Sequence, residues 1–155
     1  MKELKDSKLI AQAALSAKLY RGGVLLRDFG VICRRVVTTA GVNAIVDAFQ
    51  GLFTLSDFKY HASGTGTNAE AVGDTALQTE VETRATGTQT EGASANIYRS
   101  VGTVSFTASR AVTEHGLLSA SSSGTLLDRS VFSAINVDNG DNIEFTYDLT
   151  LTAGS

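Results

Sequence analysis

The stretch Asn142-Ile143-Glu144-Phe145-Thr146-Tyr147-Asp148-Leu149-Thr150-Leu151-Thr152 decides the fold. Ile143, Phe145, Tyr147, Leu149 and Leu151 alternate without a break with polar neighbours, the period-two signature of a strand with one buried and one wet face. Eleven such residues reach roughly 35 Å, the length of a central strand, and the apolar side needs a second sheet to cover it. Upstream, Asp138-Asn139-Gly140-Asp141 is a tight-turn sequence, because Asn and Gly adopt positive φ at low cost. Val131 to Val137, apolar and β-branched, is expected to be the hairpin partner across that turn.

Working back along the chain, Thr125–Phe132, Glu114–Ser119, Ile97–Phe106, Phe58–Ala62 and Val24–Val37 read as further strands, punctuated by Gly, Ser and Asn. Thr38 or Thr39 can cap a short helix near 40–50, with Val42, Ile45, Val46 and Phe49 on one face and Gly51 as its C-terminal cap. Asp74–Val81 is expected to form one or two helical turns, and 82–96, polar and without periodicity, an exposed loop. The sum is a mainly β chain, an antiparallel β-sandwich of jelly-roll-like type, with a small closed barrel as the alternative. Leu4, Ile10, Ala11, Ala14, Leu15 and Leu19 recur at helical spacing before Gly22-Gly23, which predicts a basic N-terminal helix or arm over 1–23 and a sandwich domain over 24–155.

Composition agrees with strands and turns. Thr (18) and Ser (15) outnumber the charged residues (29), Pro is absent, and Gly (15) must supply the turns. The single Cys33 has no partner for an internal disulfide and reads as a buried thiol. Neither a long apolar run nor a signal-peptide pattern is present, so synthesis in the cytoplasm and no membrane insertion are expected. The net charge of −3 hides an asymmetry. Lys2, Lys5, Lys8, Lys18, Arg21, Arg27, Arg34 and Arg35 against Glu3, Asp6 and Asp28 give residues 1–35 a charge of +5, leaving −8 for the rest. The basic end is neither dense nor interleaved with aromatics, so nucleic acid is not the expected partner.

No residue pattern points to catalysis, a metal or a cofactor. Gly64-Thr65-Gly66-Thr67 lacks the Lys-Ser/Thr ending of a phosphate loop. His61 and His115 are the only histidines; Glu114 and His115, as neighbours on a strand, point to opposite faces and cannot share an ion. Asp138, Asp141 and Asn142 are explained by the turn. Carboxylates such as Glu80 and Glu82 are solvated charges, not the pair a glycan-cleaving site needs. The chain is not expected to be an enzyme.

Five pieces occur in an order that resembles a group of small virion structural proteins of tailed bacteriophages. They are Val36-Val37-Thr38-Thr39-Ala40-Gly41-Val42-Asn43, Phe58-Lys59-Tyr60-His61-Ala62-Ser63-Gly64-Thr65-Gly66-Thr67, Val72-Gly73-Asp74-Thr75-Ala76-Leu77-Gln78-Thr79-Glu80, Glu114-His115-Gly116-Leu117-Leu118 and Gly124-Thr125-Leu126-Leu127-Asp128-Arg129. The resemblance covers 36–152 and implies a β-rich particle component without catalytic residues. The leading expectation is a capsid decoration (cement) protein on the virion surface. Its expected partners are the major capsid protein and further copies of itself, with a trimer taken by analogy with lattice symmetry. The alternative is a tail or fibre component for host adsorption, using loops 82–96 and 120–124. Outside the resemblance, charge and periodicity nominate Lys2, Leu4, Lys5, Lys8, Ile10, Leu15, Lys18 and Leu19 as partner-binding residues, with the leucines and isoleucine as anchors and the lysines as steering charges.

Overall fold

The computed structural model describes residues 8–34 and 37–154. The chain forms two antiparallel sheets around one main core. In order come β1 (Leu9–Arg21), β2 (Val24–Cys33), α1 (Thr39–Phe49), a 3-10 turn (Leu55–Asp57), β3 (Tyr60–Gly64), β4 (Glu80–Thr86), β5 (Thr88–Glu91), β6 (Ile97–Ser105), β7 (Arg110–Leu118), β8 (Leu126–Val137) and β9 (Asp141–Ala153). The five-stranded sheet runs β2-β1-β9-β6-β5 and the four-stranded sheet β4-β3-β7-β8. The expected sandwich is present. As the alternation required, Ile143, Phe145, Tyr147 and Leu149 of β9 are buried between the sheets.

The N-terminal helix is not. Leu9–Arg21 is a strand paired with β9 along its whole length, from Leu9↔Ala153 to Arg21↔Asp141. Its true period is two, through Ala13, Leu15, Ala17 and Leu19, all buried. Half of that stripe is alanine, which favours helix in isolation, and the intact partner strand overrides the propensity. The expected boundary at 23/24 falls in the β1–β2 turn, where Gly22 (φ +56) and Gly23 (φ +78) reverse the chain. The first seven residues lie outside the described ones.

β8 and β9 are not a hairpin either; they belong to different sheets, and Asp138–Asp141 is the corner between them. Asp141 N donates to Asp138 O at 3.0 Å, and Asp138 N donates to Asp141 Oδ2 at 2.8 Å. Arg21 Nε and Nη2 donate to the two oxygens of Asp141 at 2.6 and 2.8 Å. Arg21's hydrogen bond and charge hold the Asp141 carboxyl at about 2, with burial opposing. The Asx-rich turn thus grips an arginine from the end of β1.

Most of 80–91, from residue 82 onward expected within a loop, forms edge strands β4 and β5, whose half-wet faces leave no alternation to read. The expected helical turns at 74–81 are absent. Instead 65–79 is an extended strap over the outer face of the four-stranded sheet, where Leu77 packs with Ala62, Leu118 and Leu126.

Helix α1 starts where expected. The Thr38 hydroxyl accepts from Gly41 N at 2.9 Å, and Gly51 follows with φ +71. Its orientation differs: Gly41 and Ala44 are the buried residues, and Val42, Val46 and Phe49 face outward. Small residues let the helix lie close on β8, so that a Cβ on Gly41 would stand 2.7 Å from Leu127 O and 3.0 Å from its Cα. That backbone is itself fixed by Thr38 N at 2.9 Å. Gly41→Ala is therefore expected to cost about 1–3 kcal/mol by overpacking, despite alanine's better helix propensity. A thermal melt would show a drop of several degrees; an unchanged or raised Tm would contradict the close approach.

Candidate functional site

Of the residues nominated for docking, Lys2, Leu4 and Lys5 lie outside the described residues. Leu15 and Leu19 point into the sandwich core and cannot anchor a partner while the chain is folded. Lys18 is half-buried on the opposite face of β1, and Lys8 and Ile10 are exposed at its start. The nominated set is thus divided between the two faces of one strand. Of the proposed contact loops, only 92–96 and 120–124 remain as tips between strands.

The structure assembles a different polar cluster inside the sandwich. β3 lies beside β7, and register sets Ser63 opposite His115 and His115 opposite Ser130. His61 Nδ1 lies 3.0 Å from His115 Nε2, and His61 Nε2 lies 2.8 Å from Ser100 Oγ on β6. The His115 ring packs on Phe145, centroids 4.6 Å apart. Gly87 and Gly102 clear the space, since a Cβ on either would collide with the His61 ring. Burial lowers His61 to about 4. Burial also takes His115 well below its ordinary value, helped by the charge His61 would carry. Both rings are neutral at pH 7.

Asp128 and Tyr147 complete this layer. Ser130 Oγ donates to Asp128 Oδ1 at 3.0 Å. Burial raises the Asp128 carboxyl to about 7, and burial followed by the Asp128 charge pushes the Tyr147 phenol well above its usual range. All these groups are sealed: His61, His115, Asp128 and Tyr147 have no exposed surface. A substrate cannot reach them, so the cluster acts on stability and not on a ligand. Among the described residues, no group of three or more His, Cys, Asp or Glu is placed to hold a metal ion.

A second buried network ties the 65–79 strap to the sheet. Glu114, on the face of β7 opposite His115, accepts from Gly66 N at 3.0 Å, Gln78 N at 3.0 Å and Thr79 N at 2.7 Å. It also accepts from Arg129 Nε at 2.8 Å. Arg129 reaches on to Asp74 at 3.0 Å. Gly64 and Gly66 permit the approach, because a Cβ on either would strike the Glu114 carboxylate. The Gly-rich turn therefore cradles an anion after all, one supplied by the chain itself.

One accessible feature among the described residues is apolar. Between α1, the 3-10 turn and the ends of β5, β6 and β9 lies a cavity of about 480 Å³, lined chiefly by Ile45, Leu55, Phe58, Leu127, Leu149 and Leu151. Its polar rim is fixed: Gln89 Nε2 donates to Tyr98 OH at 2.7 Å, and Tyr98 OH donates to Phe58 O. Beside it, Phe49 is 88 % exposed and Leu52 72 %, with Val42 and Val46 continuing the stripe along α1. Asp47 is the one charge among the helix residues, whereas a helix that faces water normally carries a charged face. Val42, Val46 and Phe49 are recognisable in the sequence as one helical stripe; Gly41 and Ala44 are the signal that a different stripe packs inward. Among the described residues no helix is long and apolar enough to cross a membrane. No protein-family model, curated protein or solved structure matches this chain.

Proposed function

We propose that this chain is a virion structural protein of a tailed bacteriophage, a capsid decoration (cement) protein that binds the assembled head. The observation that supports a role in assembly is the largely apolar end formed by α1 and the adjoining cavity. Contiguous exposed apolar surface of this kind marks an interaction site, and the titratable cluster of the chain is locked away from any substrate. The resemblance of 36–152 supplies the particle. A ligand that binds only the assembled shell stabilises it by mass action. The jelly-roll form of the sandwich belongs to this reading and is supported by the first and last strands lying side by side in one sheet.

The major capsid protein is the proposed partner, and residues 1–8 with Lys2, Leu4, Lys5 and Lys8 remain the proposed basic arm. Removing residues 1–20 would delete β1 and unfold the sandwich, so the informative truncation ends at residue 8. Cosedimentation of the purified chain with heads, and separately with tails, stripped of this protein tests the role. Saturable binding to heads, weakened by the truncation, is expected. Binding to tails alone moves the role to adsorption through the tips at 92–96 and 120–124, and binding to neither overturns the virion reading.

A further inference from the structure

We propose that the α1 end of the sandwich is a self-association face, on which two copies pair about a two-fold axis with Phe49 of each inserted into the apolar cavity of the other. Knob and hole sit side by side. Ile45 lines the cavity and Phe49 follows one helical turn later, about 5–6 Å away between Cβ atoms. A face carrying both is self-complementary, and a two-fold satisfies both contacts at once. Size agrees: a cavity of about 150 Å³ accepts a benzene ring, so about 480 Å³ admits the Phe49 ring with Leu52 behind it.

Charge is nearly absent from this face. The residues lining the cavity include no charged side chain, and α1 has only Asp47. Two copies therefore meet through this face with little charge repulsion. A partner recognised by charge would find nothing here to read. Area is sufficient as well. Val46, Phe49, Leu52 and Leu55 offer together roughly 400–500 Å² at about 150–200 Å² per fully exposed large side chain. That is an apolar centre suited to a standard interface of about 800 Å² per partner, with Ser56 and Thr90 on its polar border.

Sedimentation equilibrium of the full chain at about 10–100 µM, above the dissociation constant of a micromolar pair, tests this without particles, so its outcome is independent of the virion reading. Wild type is expected at twice the 16.2 kDa of the chain. Phe49→Asp, which alters an exposed side chain, and Ser56→Trp, which fills the mouth of the cavity, are expected at the single-chain mass with unchanged thermal melting. A monomeric wild type, a three-fold mass, or either variant remaining paired overturns the proposal. So does a monomeric wild type whose Phe49→Asp variant loses binding to heads, which would give the face to the capsid.

Discussion

Glu114→Ala is expected to lower the unfolding free energy by about 3–5 kcal/mol, the cost of breaking a buried ion pair by removing one partner. The carboxylate has no exposed surface and Arg129 is 3 % exposed. Its loss leaves the N–H groups of Gly66, Gln78 and Thr79 without their acceptor and leaves the guanidinium with Asp74 and Asn68 O alone. Burial pushes the Glu114 carboxyl up, but the Thr79, Gln78 and Gly66 N–H groups and Arg129 outweigh it, so its pKa lies below the ordinary value. An apolar replacement of both partners, often neutral for a simple buried pair, is not expected to rescue this one, because the strap's N–H groups would stay orphaned. Urea unfolding measures the loss, and Asp74→Ala, at the wetter end of the network, should cost less than about 1 kcal/mol. Limited proteolysis adds the location: cleavage of Glu114→Ala is expected first within 65–79. A loss below about 1 kcal/mol for Glu114→Ala would mean that the strap is held by Leu77 and its neighbours alone.

How far the sequence discloses this arrangement depends on what each residue contributes locally. β9 is legible because its alternation is complete and its inner residues are large. β1, its neighbour over thirteen paired positions, is illegible because Ala13 and Ala17 occupy inner sites and look helical out of context. α1 is legible in extent through Thr38 and Gly51, which act locally. Its rotation depends on how near β8 approaches, and Gly41 records that only once β8 is in place. The corner at Asp138–Asp141 reads as a hairpin turn because turn residues specify a reversal, not which sheet receives the next strand. Glu114 and His115 read correctly as pointing to opposite faces. What each meets there, Arg129 and the strap on one side and His61 on the other, follows from the β3-β7-β8 order, which no local pattern carries. The glycines at 64, 66, 87 and 102 mark those meetings in the sequence, but as absences of side chains they name no partner.

The buried layer makes the stability of the fold depend on pH, and three groups set the sign. At pH 5 the folded chain holds His61 and His115 neutral, with His61 at about 4 and burial holding His115 well below its ordinary value, and Asp128 protonated, its pKa being about 7. In the unfolded chain both histidines, with an ordinary pKa of 6.5, are charged at that pH, and Asp128, at 3.8, is ionised. A depressed histidine contributes stability that is lost as pH falls below 6.5; a raised carboxyl contributes stability that is lost as pH rises from 3.8 through 7. Unfolding near pH 5 therefore takes up two protons and releases one. The net uptake of one proton makes stability fall with falling pH by about 1.4 kcal/mol per unit there. The maximum is expected close to pH 7, with a loss of about 2 kcal/mol by pH 4.5. Asp141, at about 2, adds its own loss only below about pH 4. Asp128→Asn removes the opposing contribution and is expected to steepen the fall at pH 5 to about 2.7 kcal/mol per unit while raising stability at pH 8. Urea unfolding at a series of pH values decides the matter: a profile flat from pH 7 to 5 would mean that the histidine pair takes up its protons inside the folded chain.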